Sequence, residues 1–228
     1  ANVMVTDILE EEGHALVNDH KNMTFMAHDV LQEDQWAATI ASTKEAFGGL
    51  DILVNNAAQM LWGDFSNHER CSIEELLQLN ICTLSIITHH FLNGMISRGS
   101  GKILNVASVA GFQPVPSMGL YAASKAFVIS FSESLAEQAA TKGVSVTLLC
   151  PGVTDTPAAK PIIQNLPPFA VSSSDDVAAE GYRALMAGET ICIPGIANKA
   201  ALTWVKFQPR SVIRKLGGLI SRFGPTPH

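Results

Sequence analysis

The stretch Tyr121-Ala-Ala-Ser-Lys125 places a phenol four residues before an ammonium. On a helix, positions i and i+4 share a face, so the two groups are neighbours. A free tyrosine ionises near pH ~10 and is a poor base at neutrality; a fixed cation beside it favours the phenolate. The pair therefore has the makings of a general acid or base. Ser108 stands thirteen residues upstream, at the end of an apolar run, where a hydroxyl can face the same place. Asn80 is a polar side chain among apolar neighbours in a long helical stretch. Singly, each has a plainer reading: a surface Tyr–Lys pair, a strand-end cap, a buried amide bonded to backbone. Their order, and the strand ends before Ser108, argue for one site.

The elements that must position them alternate. Residues 3–6, 24–27, 51–54, 102–107, 144–150 and 191–193 read as strands. Residues 10–20, 34–47, 120–141 and 174–187 read as helices, with a long one from Ser72 to Arg98 in between. Ser72 with Glu75 has capping-box spacing, and Gly48 and Gly99 follow helix ends. Strands that are apolar throughout, separated by helices, predict an α/β fold with a doubly wound parallel sheet covered on both faces. Ligands in such folds bind beyond the carboxyl ends of the strands. Asp7, Asp29, the 55–58 loop, Ser108 and the 151–156 loop all follow predicted strands.

The chain has 228 residues, 47% hydrophobic and 16% charged, which suits one α/β domain and excludes a disordered or fibrous protein. No apolar run is long enough to span a bilayer, and the N-terminus lacks a signal-peptide pattern. The chain opens without a Met, which leads to the expectation that it begins after processing or inside a longer protein. Four cysteines with no CxxC pair and no zinc-ligand spacing predict a reduced, cytoplasmic chain without a metal. A net charge of −6 argues against nucleic acid as a partner. That charge is uneven: residues 1–189 carry −12, whereas 190–228 hold six basic residues and no acid, +6. Accordingly the chain divides into 1–197 and a basic amphipathic extension, 198–228, split by Pro209. The extension packs on the body or on another subunit, or else makes peripheral contact with an anionic membrane.

The motifs NNAA (55–58), LQLN (77–80), GKILNVASVAG (101–111), YAASK (121–125) and PGVTDT (151–156) resemble the successive motifs of the short-chain dehydrogenase/reductase family. The resemblance covers essentially the whole chain and implies an NAD(P)-dependent oxidoreductase interconverting a carbonyl and a secondary alcohol. By it, Tyr121 is the acid/base and Lys125 lowers its pKa and holds the nicotinamide ribose. Ser108 bonds the substrate oxygen, and Asn80 supports a water that relays the proton. Asp7 would accept hydrogen bonds from the adenosine ribose and repel a 2′-phosphate, favouring NAD over NADP. Asp29 and Val30 match the adenine contact, Asn55 and Ala57 line the cofactor cleft, and Val153 and Thr156 meet the carboxamide. Residues 157–169 resemble a substrate lid. A small apolar carbonyl or alcohol is the expected substrate, and helices 72–98 and 120–141 resemble those that pair subunits into a homodimer or homotetramer. His89 and His90 read as surface or interface residues. Two departures stand out. Ala58 replaces the family's usual glycine, and the family's opening strand, Gly-rich turn and helix do not appear. The expectation is an N-terminally incomplete form of a full enzyme. The alternative is a shortened, cofactor-deficient binding or scaffold protein.

Overall fold

The computed structural model describes residues 1–164, 166–209 and 211–215. They form two compact units that divide between Asp51 and Ile52. In the first, β1 (Val3–Asp7) and β2 (Met23–Ala27) pair in parallel, from Val3 opposite Met23 to Asp7 opposite Ala27. The crossover is α1 (Glu10–Asn18), and α2 (Glu33–Phe47) follows, closed by Gly48 in the left-handed region at φ 78°. Gly13 lets α1 lie on the Phe25 ring: a Cβ there would fall 2.1 Å from a ring carbon.

The second unit is built on β3 (Ile52–Asn55), β4 (Gly101–Val106), β5 (Val144–Leu149) and β8 (Ile191–Cys192), parallel and in the order β3-β4-β5-β8. Side chains alternate along β5, so Leu148 and Leu149 enter different cores. Leu148 meets Leu84, Val128 and Ile129, from α4 (Leu84–Arg98) and α5 (Gly119–Ala140). Leu149 meets Val177, Ala184 and Leu185 of α7 (Ser174–Ala187). Helices thus cover both faces of a parallel sheet, the predicted doubly wound architecture. Buried polar groups cross the α4–α5 face. Asn55 Nδ2 donates to Thr88 Oγ1 at 2.9 Å and to Asn105 Oδ1 at 2.8 Å, and Asn105 Nδ2 donates to Ser132 Oγ at 2.9 Å.

The long helix differs from expectation at two points. It starts at Arg70, as α3 (Arg70–Leu77), not at Ser72. Glu69 has extended backbone (φ −68°, ψ 144°), and its carbonyl accepts the Ile73 N–H at 3.2 Å, closing the first turn two residues early. Ser72 is therefore inside that turn, and no side chain caps the helix. Between α3 and α4, residues Gln78–Thr83 form a wider π-helical turn that holds Asn80.

Beyond β5, the two-residue strands β6 (Val153–Thr154) and β7 (Val171–Ser172) pair in parallel. They anchor both ends of the segment read as a lid, which includes the short α6 (Lys160–Ile163). A final helix, α8 (Ile196–Lys206), buries Leu202; the boundary placed at 197/198 falls inside it. Arg210 and the positions from Leu216 onward lie outside the described residues. Among those described, no helix is long and apolar enough to cross a membrane, and no His, Cys, Asp and Glu side chains group to hold a metal.

Candidate active site

The C-terminal ends of β4 and β5 carry the site. Two backbone bonds hold the loops that leave them together: Ala107 N–H to Leu149 C=O at 2.8 Å, and Val109 N–H to Pro151 C=O at 2.9 Å. Ser108 caps the 3-10 turn Val109–Phe112, its Oγ accepting from Ala110 N–H at 3.1 Å. That turn rests directly on α5. A Cβ on Gly111 would fall 2.7 Å from the Lys125 carbonyl carbon, so only glycine admits this approach. The turn thereby sets the Ser108 hydroxyl close enough to Tyr121 to bear on its phenol.

Tyr121 and Lys125 are one turn apart on α5, and Lys125 Nζ lies 5.7 Å from the centroid of the Tyr121 ring. Ser108, Tyr121 and Lys125 therefore lie in one grouping at this end of the sheet. Its electrostatics differ from expectation. Burial pushes the Tyr121 phenol above its ordinary value, and the Ser108 hydroxyl, rather than Lys125, pulls it back. Lys125 is 3% exposed, and burial lowers its ammonium to about 8 despite the nearby Cys150. It donates one of its three protons to Val106 C=O at 2.9 Å. Burial, with Cys192 and Glu133 nearby, pushes the Cys150 thiol up to about 12, so it stays protonated.

Asn80 is 1% exposed and bonded on every side. Its Oδ1 accepts from Gln59 N–H at 2.8 Å, and Nδ2 donates to Gln59 C=O at 2.9 Å and Ser124 Oγ at 3.0 Å. Ser124 Oγ in turn donates to Tyr121 C=O at 2.8 Å. Asn80 thus ties the loop after β3 to the start of α5. Ser124 and Gly111 complete the site and escaped the sequence reading. Ser124 lies three residues from Tyr121 inside YAASK, the signal that marks it.

The other predicted positions are placed as follows. Asn55 has both amide protons in the polar crossing to Thr88 and Asn105, and Ala57 is exposed in the loop after β3. Val153 is paired with Val171, and Thr156 Oγ1 donates weakly to Thr154 C=O at 3.4 Å. In the first unit, Asp7 and Asp29 end adjacent strands. Asp7 is exposed, and its Oδ1 accepts from Leu9 N–H at 3.0 Å. Asp29 Oδ1 accepts from Leu31 N–H at 2.9 Å, and Val30 C=O accepts from the Trp36 indole at 3.0 Å.

Each unit holds groups of the kind that bind a ribose. In the second, Lys125 keeps two N–H donors beyond the one given to Val106 C=O. In the first, Asp7 presents an exposed carboxylate that one backbone N–H engages.

The family model described as short chain dehydrogenase matches residues 1–167. An uncharacterized oxidoreductase of Staphylococcus saprophyticus is 36% identical over 129 residues, 57% of this chain and 55% of that protein. The chain spans about half the length of the curated relatives it matches first. A short-chain dehydrogenase of Streptomyces avermitilis superposes with a TM-score of 0.79 at 24% identity, over 97% of this chain and 88% of that one. The 3-ketoacyl-(acyl-carrier-protein) reductase of Brucella melitensis, solved with NADH, superposes with a TM-score of 0.76 at 22% identity, over 85% and 86%. With a matching family model over most of its length and a fold shared with solved members, this chain belongs to the short chain dehydrogenase family.

Proposed function

We propose that this protein is an NAD(P)-dependent oxidoreductase that interconverts a carbonyl and a secondary alcohol, with Tyr121 as the acid/base. The observation that carries the reading is the meeting of Ser108, Tyr121 and Lys125 at the ends of β4 and β5. The nicotinamide, when bound, supplies or accepts the hydride. The chain supplies the rest. Tyr121, held as a protonated phenol by burial, is in the form that gives a proton to a carbonyl oxygen, which suits the reducing direction. Ser108 Oγ, fixed by Ala110 N–H, can donate to that same oxygen as charge develops on it. Lys125 offers its free N–H groups to the ribose. Asn80 and Ser124 act through position, holding the first turn of α5.

Asp7 favours NAD, since its carboxylate would repel a 2′-phosphate. The Brucella relative's NADH agrees with that preference. Phe112 and Met118, beside Ser108 and Tyr121 along the chain, favour a small apolar substrate. Phe127, exposed on α5 and stacked on the half-buried Phe131 with ring centroids 5.7 Å apart, favours pairing of subunits through that helix. The cysteines' spacing favours a cytoplasmic setting.

The test is turnover of the full chain with NADH and a 3-ketoacyl thioester or an aryl ketone. Tyr121→Phe should lower kcat by roughly 10²–10⁴-fold, the range for general acid–base catalysis, while the variant still binds NADH by calorimetry. Undiminished turnover by that variant overturns the assignment. Failure of the unaltered chain to bind NADH would point instead to a cofactor-free scaffold.

A further inference from the structure

We propose that the outer face of α8 is a docking surface for an anionic membrane. The helix is apolar on two sides. Leu202 and Val205 turn inward and, with Ile213, close a pocket of about 180 Å³ against Phe112 and Pro114. Ile196, Trp204 and Phe207 turn outward and are 87%, 50% and 81% exposed. At 3.6 residues per turn these three lie within about 80° of one another along ~16 Å of helix. Among the described residues, packing onto its own unit accounts for the inner stripe and leaves the outer one uncovered.

Charge selects what covers it. Lys199 on α8 is exposed, as are Arg214 and Lys215 just beyond it. Residues 190–228 contain six basic residues and no acidic one. A two-fold contact of this face with a second copy would set like charges against each other. An anionic bilayer surface satisfies both features: the apolar stripe enters the headgroup boundary and the basic side chains meet phosphates. Trp204 is of the type that favours that boundary. Eleven residues are too few to span a bilayer, so the helix lies on the surface.

The experiment sediments the full chain with phosphatidylcholine vesicles, with and without phosphatidylserine, at low and high salt. The chain should pellet with the anionic vesicles alone and be released by salt. Changing Trp204→Ser and Phe207→Ser together should lower partitioning roughly tenfold or more. Changing Lys199, Arg214 and Lys215 to Gln should lower it about fivefold per charge removed. If the apolar variant fails to fold, the glutamine variant, altered only at exposed side chains, carries the test. Equal pelleting with neutral and anionic vesicles, or variants that pellet like the unaltered chain, overturns the proposal. So does a dimer that the apolar variant dissociates while the unaltered chain ignores vesicles, which assigns the face to a second copy.

Discussion

Replacing Asn80 by leucine tests the claim that its amide clamps the site. The substitution keeps side-chain size and removes three hydrogen bonds of 2.8, 2.9 and 3.0 Å. At 1% exposure, water cannot enter to replace them. A neutral hydrogen bond contributes about 1 kcal/mol net, and each polar group left dry costs about 1–3 kcal/mol. The Gln59 N–H and C=O lose their Asn80 partner, whereas Ser124 keeps its bond to Tyr121 C=O. The destabilisation should therefore be about 3–5 kcal/mol, a fall in Tm of roughly 6–20 °C for a chain of this size. Urea and thermal unfolding measure it, and amide exchange at Gln59 should quicken. Ser124→Ala removes one of the three bonds to Asn80 together with the bond to Tyr121 and should cost about half as much. A loss under about 1 kcal/mol for Asn80→Leu, or an equal loss for Ser124→Ala, would refute the clamp.

Gly111→Ala should push the 3-10 turn off α5 and carry Ser108 away from Tyr121; a displacement near 1 Å costs about 10²-fold in turnover, read as kcat with NADH affinity unchanged. Lys125 has a folded-state pKa of about 8 against 10.5, so the unfolded chain holds more protons in between and stability should rise with pH from 8. Cys150, pushed up from 9.0 to about 12, opposes that rise above pH 9, so the lysine signal is read between pH 8 and 9, where Lys125→Met should abolish it. His28 is buried with neither ring nitrogen hydrogen-bonded, and burial lowers its pKa from 6.5 although Asp29 opposes this. The unfolded state then binds the extra proton, so stability should fall as pH drops through 6.5; His28→Leu should flatten that fall and add about 1–3 kcal/mol at neutral pH, measured by urea unfolding.

The sheet and its helices were legible because local signals agreed: continuous apolar strands, glycine stops and 3.6-residue periodicity. The Ser108–Tyr121–Lys125 meeting was legible because one helix turn and one strand end set it. What escaped was non-local. No local code marks the π-turn at Gln78–Thr83, since the same residues suit an α-helix; the Asn80 bonds to Gln59 and Ser124 exist only in the folded chain. Ser72 misled because serine caps well in general, whereas here the extended backbone at Glu69 starts the helix. The phenol's electrostatics escaped because spacing reveals a neighbouring charge and not the desolvation that outweighs it.

The crossing Thr88–Asn55–Asn105–Ser132 bears on how the sheet finds its alignment. Apolar strands such as ILVN and KILN tolerate sliding, because a shifted strand still buries hydrocarbon on both sides. The two asparagines do not. They stand opposite one another only when Asn55 faces Asn105, and a slip of β3 by one residue would swing the Asn55 amide to the other face, away from Thr88 and Asn105. The amides act as a notch and key cut into an otherwise greasy joint. They reject misaligned neighbours during assembly and so fix where the strand end that precedes Ser108 comes to rest.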